Sequence, residues 1–386
     1  MNAPRTGIEG SLLIRVAPAH GRVSIESSRP LLASRLFEGK TIDETLALIP
    51  LLFNVCGQAQ QTAAVRAIES ARGDHADDDV EQARDALVDV ETLREHLWRI
   101  LMDWPRFTGH GPASARLPDV MGTIEAIRRA VDPDRTLCSP TAIPCRSTDA
   151  TLAQRCRHLR ECVRSDILDT DPADWLSYDV ETLQHWLSTS NGVAGRLLRK
   201  ICKQGWHELG KTSMAYLNPL PATELARRLD DAQTESFIAA PTWNGLALET
   251  GPLARQSGHP LMTAAATLAG NGLLTRLLAR LVEVALIVTR HPIAGTATET
   301  DEPVPGLAQV EAARGRLCHR IALDGGRVSR YRILAPTEWN FAPDSAAVQA
   351  LRTIQAVDIT EIRAQADLLV HAIDPCVGYN LEVESG

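Results

Sequence analysis

Aromatic side chains are scarce in this sequence of 386 residues, of which Phe, Trp and Tyr together make up 4%. Leucine, alanine, isoleucine and valine must therefore fill most of the interior. Otherwise the composition, 44% hydrophobic and 23% charged, is that of an ordinary globular protein. The length is sufficient for a sizeable core.

Lysine is also rare, and the arginines are dispersed along a chain with a net charge of −8. Without a basic stripe interleaved with aromatic residues, nucleic acid is not an expected partner. Residues 1–10 lack the apolar run of a secretory signal. The longest apolar window, residues 277–288, is too short to span a bilayer and is interrupted by Arg280 and Glu283. We therefore expect a cytoplasmic protein with no membrane partner.

Several common site motifs are absent from the sequence. It has no P-loop, no Gly-x-Gly-x-x-Gly after a strand and no hydrolase elbow. Eight cysteines in a large cytosolic chain are expected to be thiols rather than disulfides. Spacings of seven, eleven and six residues, without a Cys-x-x-Cys pair, argue against structural zinc in one group of residues: Cys138, Cys145, Cys156, His158 and Cys162.

Hydrophobic periodicity predicts a mainly α (α+β) protein with two small β-hairpins. The hairpins are expected at residues 10–28 and 317–334, the second around the turn Asp324-Gly325-Gly326. A capping box at Thr41 and Glu44 predicts a helix to about residue 52. Further helices are predicted at about residues 55–71, 80–103, 261–291, 344–356 and 359–371. We expect one domain over residues 1–386, with an exposed linker at residues 293–310.

Two segments more than 300 residues apart each present one cysteine. The first is Asn54-Val55-Cys56-Gly57, and the second is Asp374-Pro375-Cys376-Val377. A lone cysteine beside an Ala-rich helix is usually a small buried hydrophobe. Other segments change this interpretation, because six of them follow one another in the order known from one family.

The sequence resembles the large subunit of nickel–iron hydrogenases at these six segments, although its middle third aligns poorly. The family motifs are Arg-Gly-x-Glu, the first metal motif, Glu-Val-Gly-Pro-Leu-Ala-Arg, Glu-Ala-Pro-Arg-Gly, Val-Pro-Thr-Thr-Trp-Asn and the last metal motif. The matching segments are Arg35-Leu36-Phe37-Glu38, Cys56-Gly57, Glu249-Thr250-Gly251-Pro252-Leu253-Ala254-Arg255, Glu311-Ala312-Ala313-Arg314-Gly315, Ala335-Pro336-Thr337-Glu338-Trp339-Asn340 and Asp374-Pro375-Cys376. The resemblance implies a helical core like that of the hydrogenase large subunit.

The departures from the family concern its metal ligands. Each metal motif of the family has a Cys-x-x-Cys pair followed by a histidine, and the four sulfurs hold nickel and iron. This chain retains only Cys56 and Cys376. The other cysteine and the histidine of each motif are replaced by Phe53, Gln60, Tyr379 and Glu382. Two thiolates cannot build the four-thiolate cluster, so neither nickel binding nor hydrogen turnover is expected.

The remaining residues would suit a site that holds iron alone. By the resemblance, Cys56 and Cys376 would bind the metal. Arg314 and Thr337 would donate hydrogen bonds to iron-bound cyanide.

Two other family positions have weaker assignments. Gln60 and Glu38 are candidates for positions close to the metal, without binding it. For Glu38, a carboxylate paired with a buried arginine or a helix N-terminus is the preferred interpretation. Glu249 and Arg255 are expected to serve packing and ion pairing.

Within the family, the pattern resembles the non-catalytic hydrogenase maturation proteins of the HupK/HoxV type. It implies a scaffold that transiently carries iron with cyanide and carbonyl ligands, without nickel. The unit would come from a small iron-delivering maturation chaperone and pass to the hydrogenase large-subunit precursor.

Three alternatives remain: a metal-free chaperone that mimics the precursor, an active nickel–iron hydrogenase, and a structural subunit of the respiratory complex I type. Phe53 and Tyr379 oppose the hydrogenase, since they replace sulfur ligands. Retention of Cys56, Cys376 and Arg314 opposes the complex I subunit.

Overall fold

The computed structural model describes residues 10–31, 33–53, 55–113, 115–143, 150–290 and 303–384. Helices predominate in these ranges, and three small sheets lie among them. The strands are β1 Ser11–Ala17, β2 Arg22–Ser27, β3 Ala215–Tyr216, β4 Leu248–Glu249, β5 Leu307–Ala312, β6 Gly315–Asp324, β7 Arg327–Leu334 and β8 Gly378–Val383. The helices are α1 Ile42–Leu52, α2 Gly57–Arg72, α3 Asp78–Trp98, α4 Trp104–Phe107, α5 Leu117–Val131, α6 Ala150–Cys162, α7 Pro172–Leu176, α8 Val180–Thr189, α9 Val193–Lys203, α10 Ala222–Asp230, α11 Thr234–Ala239, α12 Pro252–Gln256, α13 Pro260–Ala269, α14 Leu273–Thr289, α15 Pro336–Phe341, α16 Ala346–Leu351 and α17 Ile359–Ile373.

The first sheet joins the two ends of the described chain. Strands β1 and β2 form the predicted N-terminal hairpin, and β8 pairs in parallel with β1, with Leu12 opposite Tyr379. The sequence prediction of an isolated hairpin was therefore incomplete. A parallel partner more than 360 residues away leaves no local sequence signal. This pairing brings the segment after β2 close to the segment before β8, where Cys376 lies.

The second predicted hairpin also acquires a third strand. Gly325 and Gly326 have φ of 54° and 78°, which suits the two-residue turn between β6 and β7. Strand β5 pairs with β6 on its other side. The linker prediction was wrong for residues 307–310, which belong to β5, while residues 293–302 lie outside the described residues.

The helix predictions are confirmed in position, with three corrections to their limits. The helix predicted at 344–356 is shorter than expected and spans Ala346–Leu351. Helix α1 begins with the predicted capping box of Thr41 and Glu44. The helix predicted at 80–103 continues through a π-helical segment, Arg99–Asp103, into α4, because Pro105 lies in the first turn of α4, where proline is tolerated. The apolar helix predicted at 261–291 is two helices, α13 and α14, separated at Gly270, which has φ of 57°.

Helix α14 lies at the centre of the molecule and is buried on nearly all sides. Two of its charged residues are neutralised by partners from the family-like segment 249–255. Arg276 Nε lies 2.7 Å from Glu249 Oε1, and Glu283 Oε1 lies 2.6 Å from Arg255 Nε. The predicted ion-pairing role of Glu249 and Arg255 is thus seen directly. None of the helices in the described ranges is long and apolar enough to cross a membrane.

Candidate metal centre

Cys56 lies at the N-terminal end of α2, immediately before its first residue. Its own side chain does not cap the helix. Instead, the Glu91 carboxylate of α3 accepts hydrogen bonds from the backbone N–H groups of Gln58 and Ala59, at 2.7 and 3.0 Å. A carboxylate at this position satisfies free N–H groups and complements the helix dipole. The thiol of Cys56 is thereby left free to face the interior.

Cys376 lies in the short segment between α17 and β8. Helix α17 ends at Asp374, whose backbone is left-handed with φ of 63° and whose N–H donates to Val370. The buried Asp374 carboxylate lies 3.0 to 3.4 Å from three guanidinium groups: Arg99, Arg280 and Arg314. Burial alone would raise the pKa of Asp374, but Arg314, Arg99 and Arg280 hold it well below its usual range. The carboxylate therefore stays ionised and fixes the chain next to Cys376.

Cys56 and Cys376 line one cavity of about 80 Å³. They lie close enough for the charge of one sulfur to affect the ionisation of the other. Arg314 and Gln60 line the same cavity, which is otherwise mostly apolar. The structure thus brings together three parts of the chain that are distant in sequence: the segment with Cys56 and Gln60, Arg314, and Cys376. This convergence is what a two-thiolate metal site requires.

Two donors are directed at the sulfur of Cys376. Thr337 Oγ1 lies 2.9 Å from Sγ, and Arg29 Nη1 donates to Sγ at 2.7 Å. Because the Cys376 N–H donates to Thr337 Oγ1, the hydroxyl hydrogen of Thr337 remains available for the sulfur. A guanidinium and a hydroxyl together stabilise a thiolate. The contact of Thr337 with cyanide stays a prediction, since its observed partner is the sulfur.

Arg29 was missed by the sequence analysis. Its side chain is held by Glu338, with Nε 2.9 Å from Oε1. Burial opposes its charge, but Glu338, Cys376 and Cys56 raise the pKa of Arg29 above its ordinary value. Arg29 therefore remains a cation beside the cavity. Its only local sequence signal is the Arg-Pro pair, which is typical of any extended turn.

Gln60 approaches Cys56 with its amide nitrogen, at 3.6 Å from Sγ. The Gln60 oxygen lies 2.8 Å from His319 Nε2, and His319 Nδ1 lies 2.8 Å from the Tyr331 hydroxyl. An amide oxygen only accepts, so Nε2 must carry the hydrogen, and neutral His319 then accepts from Tyr331. The buried chain Tyr331–His319–Gln60 keeps an N–H donor pointed at Cys56. Neither His319 nor Tyr331 was identified from the sequence.

The surroundings of Cys56 favour the protonated form of its thiol. The Cys56 side chain is partly exposed and lines the cavity. Burial raises the pKa of its thiol above the ordinary value, and the charges of Cys376 and Glu91 raise it further. Gln60 and Arg314 act in the opposite direction. A metal that binds here must displace this proton.

Arg314 is buried between two carboxylates. Its Nη1 lies 3.1 Å from Glu95 Oε2, and its Nε lies 3.4 Å from Asp374 Oδ2. Burial opposes its charge, but Asp374 and Glu95 raise the pKa of Arg314 above its ordinary value. Arg314 and Arg29 thus provide two fixed cations at the cavity.

Among the other family positions, Phe53 lines the cavity, whereas Glu38, Tyr379 and Glu382 do not. Glu38 does not line the cavity: it pairs with the largely buried Arg332 at 2.9 Å, in agreement with the preferred interpretation. Tyr379 donates to Asp367, and Glu382 pairs with Arg15 on the first sheet. Phe53 lines the cavity with a ring in place of a sulfur. Among the described residues that line it, Cys56 and Cys376 are the only cysteines, and no histidine is present.

Within the group considered for zinc, His158 Nε2 lies 3.8 Å from Cys162 Sγ. Cys138 lies beside Gln58 on α2, at 3.1 Å, whereas Cys156 is buried in the main core. Cys145 lies outside the described residues.

His319 gives a testable pH dependence. Burial lowers its pKa from 6.5 to about 3. Between these values the unfolded chain binds one more proton, so stability falls as the pH decreases, by about 1.4 kcal/mol per pH unit. We expect His319→Gln to remove about 2 kcal/mol of the stability difference between about pH 7 and about pH 5. Urea unfolding at the two pH values measures this difference.

The matched control is His185→Gln, which alters an exposed histidine on α8 and should keep the wild-type difference. Any loss of stability that is the same at both pH values reports packing alone. An unchanged pH dependence in His319→Gln would show that His319 is not held neutral.

Known proteins resemble this chain in both sequence and fold. A family model described as nickel-dependent hydrogenase matches residues 261–379. The chain is 31% identical to the hydrogenase expression/formation protein HoxV of Cupriavidus necator, over 97% of this chain and 96% of that protein. It is 30% identical to the hydrogenase expression/formation protein HupK of Azotobacter vinelandii, over 94% of each chain.

A solved structure shows the same fold. The Ni-Fe-Se hydrogenase from D. vulgaris Hildenborough, in the as-isolated oxidized state, aligns with a TM-score of 0.59 and 17% identity. The alignment covers 95% of this chain and 93% of that chain. The fold is therefore of the hydrogenase large-subunit class. Within this class, the chain belongs to the family of hydrogenase expression/formation proteins that includes HoxV and HupK.

Proposed function

We propose that this protein is a non-catalytic scaffold of hydrogenase maturation, acting in the cytoplasm. It would transiently carry an iron–dicyanide–carbonyl unit, receive it from a small iron-delivering chaperone and pass it to the hydrogenase large-subunit precursor. The names of its relatives support a role in hydrogenase formation. The observation that carries the finer proposal is the convergence of Cys56 and Cys376 on one cavity.

The donors around the cavity suit this cargo. Soft thiolates bind low-spin iron, and Cys56 and Cys376 supply two of them. Cyanide ligands leave the unit anionic, which Arg29 and Arg314 complement. The apolar lining, which includes Ala312, Ala313 and Pro336, suits the uncharged carbonyl ligand.

The route by which the cargo enters and leaves is also suggested by the structure. An open cleft of about 920 Å³ is lined by Cys376 and Arg314, which also line the small cavity. Charged residues line this cleft, among them Arg94 and Arg99, and Trp98 is exposed at it. A partner that delivers or accepts the unit would gain access to Cys376 here. Access from the surface is necessary for a carrier, which must release what it binds.

The losses at the nickel positions support a non-catalytic role. Phe53 offers no donor atom, and the hydroxyl of Tyr379 is engaged by Asp367. Two sulfurs can hold one metal, but they cannot bridge two metals and also bind each of them terminally. We therefore expect iron without nickel.

Infrared spectroscopy tests the proposal. The protein would be purified without oxygen from cells that produce the hydrogenase maturation proteins, and its metals would be measured in the same sample. We expect cyanide and carbonyl stretching bands, iron at up to about one per chain, and no stoichiometric nickel. Absence of these bands, with or without iron, would contradict the carrier. Stoichiometric nickel with hydrogen-dependent dye reduction would instead identify a hydrogenase.

A further inference from the structure

A second group of metal-binding side chains lies on helices that contribute nothing to the cysteine cavity. His158 and Cys162 are four residues apart on α6, so they lie one above the other on the same helix face. Asp119 lies in the first turn of the neighbouring helix α5. The packing of α5 against α6 brings the three side chains together.

The ligand atoms have the spacing of a coordination site. His158 Nε2 lies 3.0 Å from Asp119 Oδ2 and 3.8 Å from Cys162 Sγ, and the sulfur lies 4.0 Å from the same oxygen. A tetrahedral zinc ion bonded at about 2.0–2.3 Å holds its ligand atoms roughly 3.3–3.8 Å apart. Small side-chain rotations would therefore complete the site.

The three residues differ in their exposure to solvent. Cys162 is 7% exposed, whereas the side chains of His158 and Asp119 are each 46% exposed. The sulfur lies beneath the imidazole and the carboxylate, and an ion bound by the three would have a further position open to solvent. Asp166 is one turn beyond Cys162 and acts electrostatically on the same thiol, which adds negative charge around the group.

A surface ion pair between His158 and Asp119 would explain only part of this arrangement. Such a pair contributes little and needs no third group. It does not account for a thiol within 4.0 Å of both donors. Imidazole, thiolate and carboxylate on one centre form a donor set suited to zinc and similar divalent metals.

We propose that Asp119, His158 and Cys162 bind one divalent transition-metal ion, with zinc the best match, at a surface site separate from the cysteine cavity. The ion would connect α5 to α6. It differs from the zinc group disfavoured in the sequence, because Asp119 replaces the other cysteines. The proposal does not depend on the iron-carrying function.

Cobalt binding tests the site directly. The full-length chain carrying Cys56→Ser and Cys376→Ser would be titrated with Co²⁺ without oxygen, so that the cavity thiols cannot contribute. We expect one ion per chain, with a thiolate-to-cobalt charge-transfer band that zinc abolishes by competition. In this background, His158→Ala, Asp119→Asn and Cys162→Ser should each lose stoichiometric binding. No charge-transfer band, or a band that survives Cys162→Ser, would overturn the proposal.

Two controls and a second measurement complete the test. His185→Ala and Cys202→Ser change a histidine and a cysteine on α8 and α9, and both should retain binding. Zinc should also raise the thermal midpoint of the chain carrying Cys56→Ser and Cys376→Ser, because at the proposed site it binds only the folded pair of helices. The rise should vanish in His158→Ala, an exposed change that leaves the core intact. An equal rise in that variant would contradict the site even if Cys162→Ser failed to fold.

Discussion

Replacing Cys56 or Cys376 by serine is expected to abolish loading with the iron–cyanide–carbonyl unit. A serine hydroxyl is a hard donor that does not ionise near neutral pH, so it cannot replace a thiolate on low-spin iron. With only two sulfurs at the cavity, the loss of either leaves a single one. We expect the cyanide and carbonyl bands to disappear in both single variants. Hydrogenase activity of cells that depend on each variant should fall with the bands.

Cys202→Ser is the matched control for these variants, since it removes a partly buried thiol from α9, remote from both cysteine segments in sequence. It should load iron and support maturation as the wild-type chain does. Normal hydrogenase activity in cells that make Cys56→Ser and Cys376→Ser would contradict the carrier. That result would favour a metal-free chaperone that mimics the precursor. Loss of activity with intact bands would show that the cysteines act after loading.

The two cysteines were accessible to sequence analysis because each lies in a segment that keeps its local motif. Their convergence could not be derived locally, since it depends on α2 and on the α17–β8 connection packing around a common cavity. Arg314 was identified in the same way, because the residues adjacent to it match a family motif. Thr337 was found as well, but the sequence assigned it to cyanide, whereas the structure directs its hydroxyl to Cys376.

The supporting residues were missed for physical reasons. Arg29 reaches Cys376 because β1 pairs in parallel with β8, a contact between the two ends of the described chain. His319 and Tyr331 lie on β6 and β7. Their supporting role becomes apparent only once His319 is seen to contact the buried Gln60, and Tyr331 to contact His319. For Glu38, the motif match alone gave a position near the metal, whereas the preferred interpretation, pairing with a buried arginine, agrees with its contact to Arg332 on β7.

The fold was predictable where one element carries its own signal. The capping box of α1 and the glycine turn between β6 and β7 need no distant partner, and both were predicted correctly. Strands β5 and β8 were missed, because a strand that joins an existing hairpin is defined mainly by its neighbour. The break at Gly270 was hidden by the apolar residues on both sides of it.

The second large effect is expected at Arg29, which joins the buried Glu338 carboxylate to the sulfur of Cys376. Arg29→Met removes the partner of Glu338, whose side chain is 6% exposed, and leaves that charge buried. Breaking a buried ion pair in this way costs about 3–5 kcal/mol. The same change removes the donor to Cys376, for which we expect at least a tenfold loss of iron affinity, the usual scale for residues that support metal ligands.

A double variant separates these two roles of Arg29. In Arg29→Met with Glu338→Gln, no unpaired charge remains, and an amide oxygen can still accept from the Ala335 N–H as Glu338 does at 3.2 Å. We therefore expect urea unfolding to show most of the stability restored, whereas iron content and the infrared bands stay low. Glu338→Gln alone should load iron nearly normally, because Arg29 still reaches the sulfur. If the double variant regained both stability and iron, Arg29 would serve only to neutralise Glu338. Restored stability without iron would show that the guanidinium acts on Cys376, and that the cavity holds its cargo through charge as well as through sulfur.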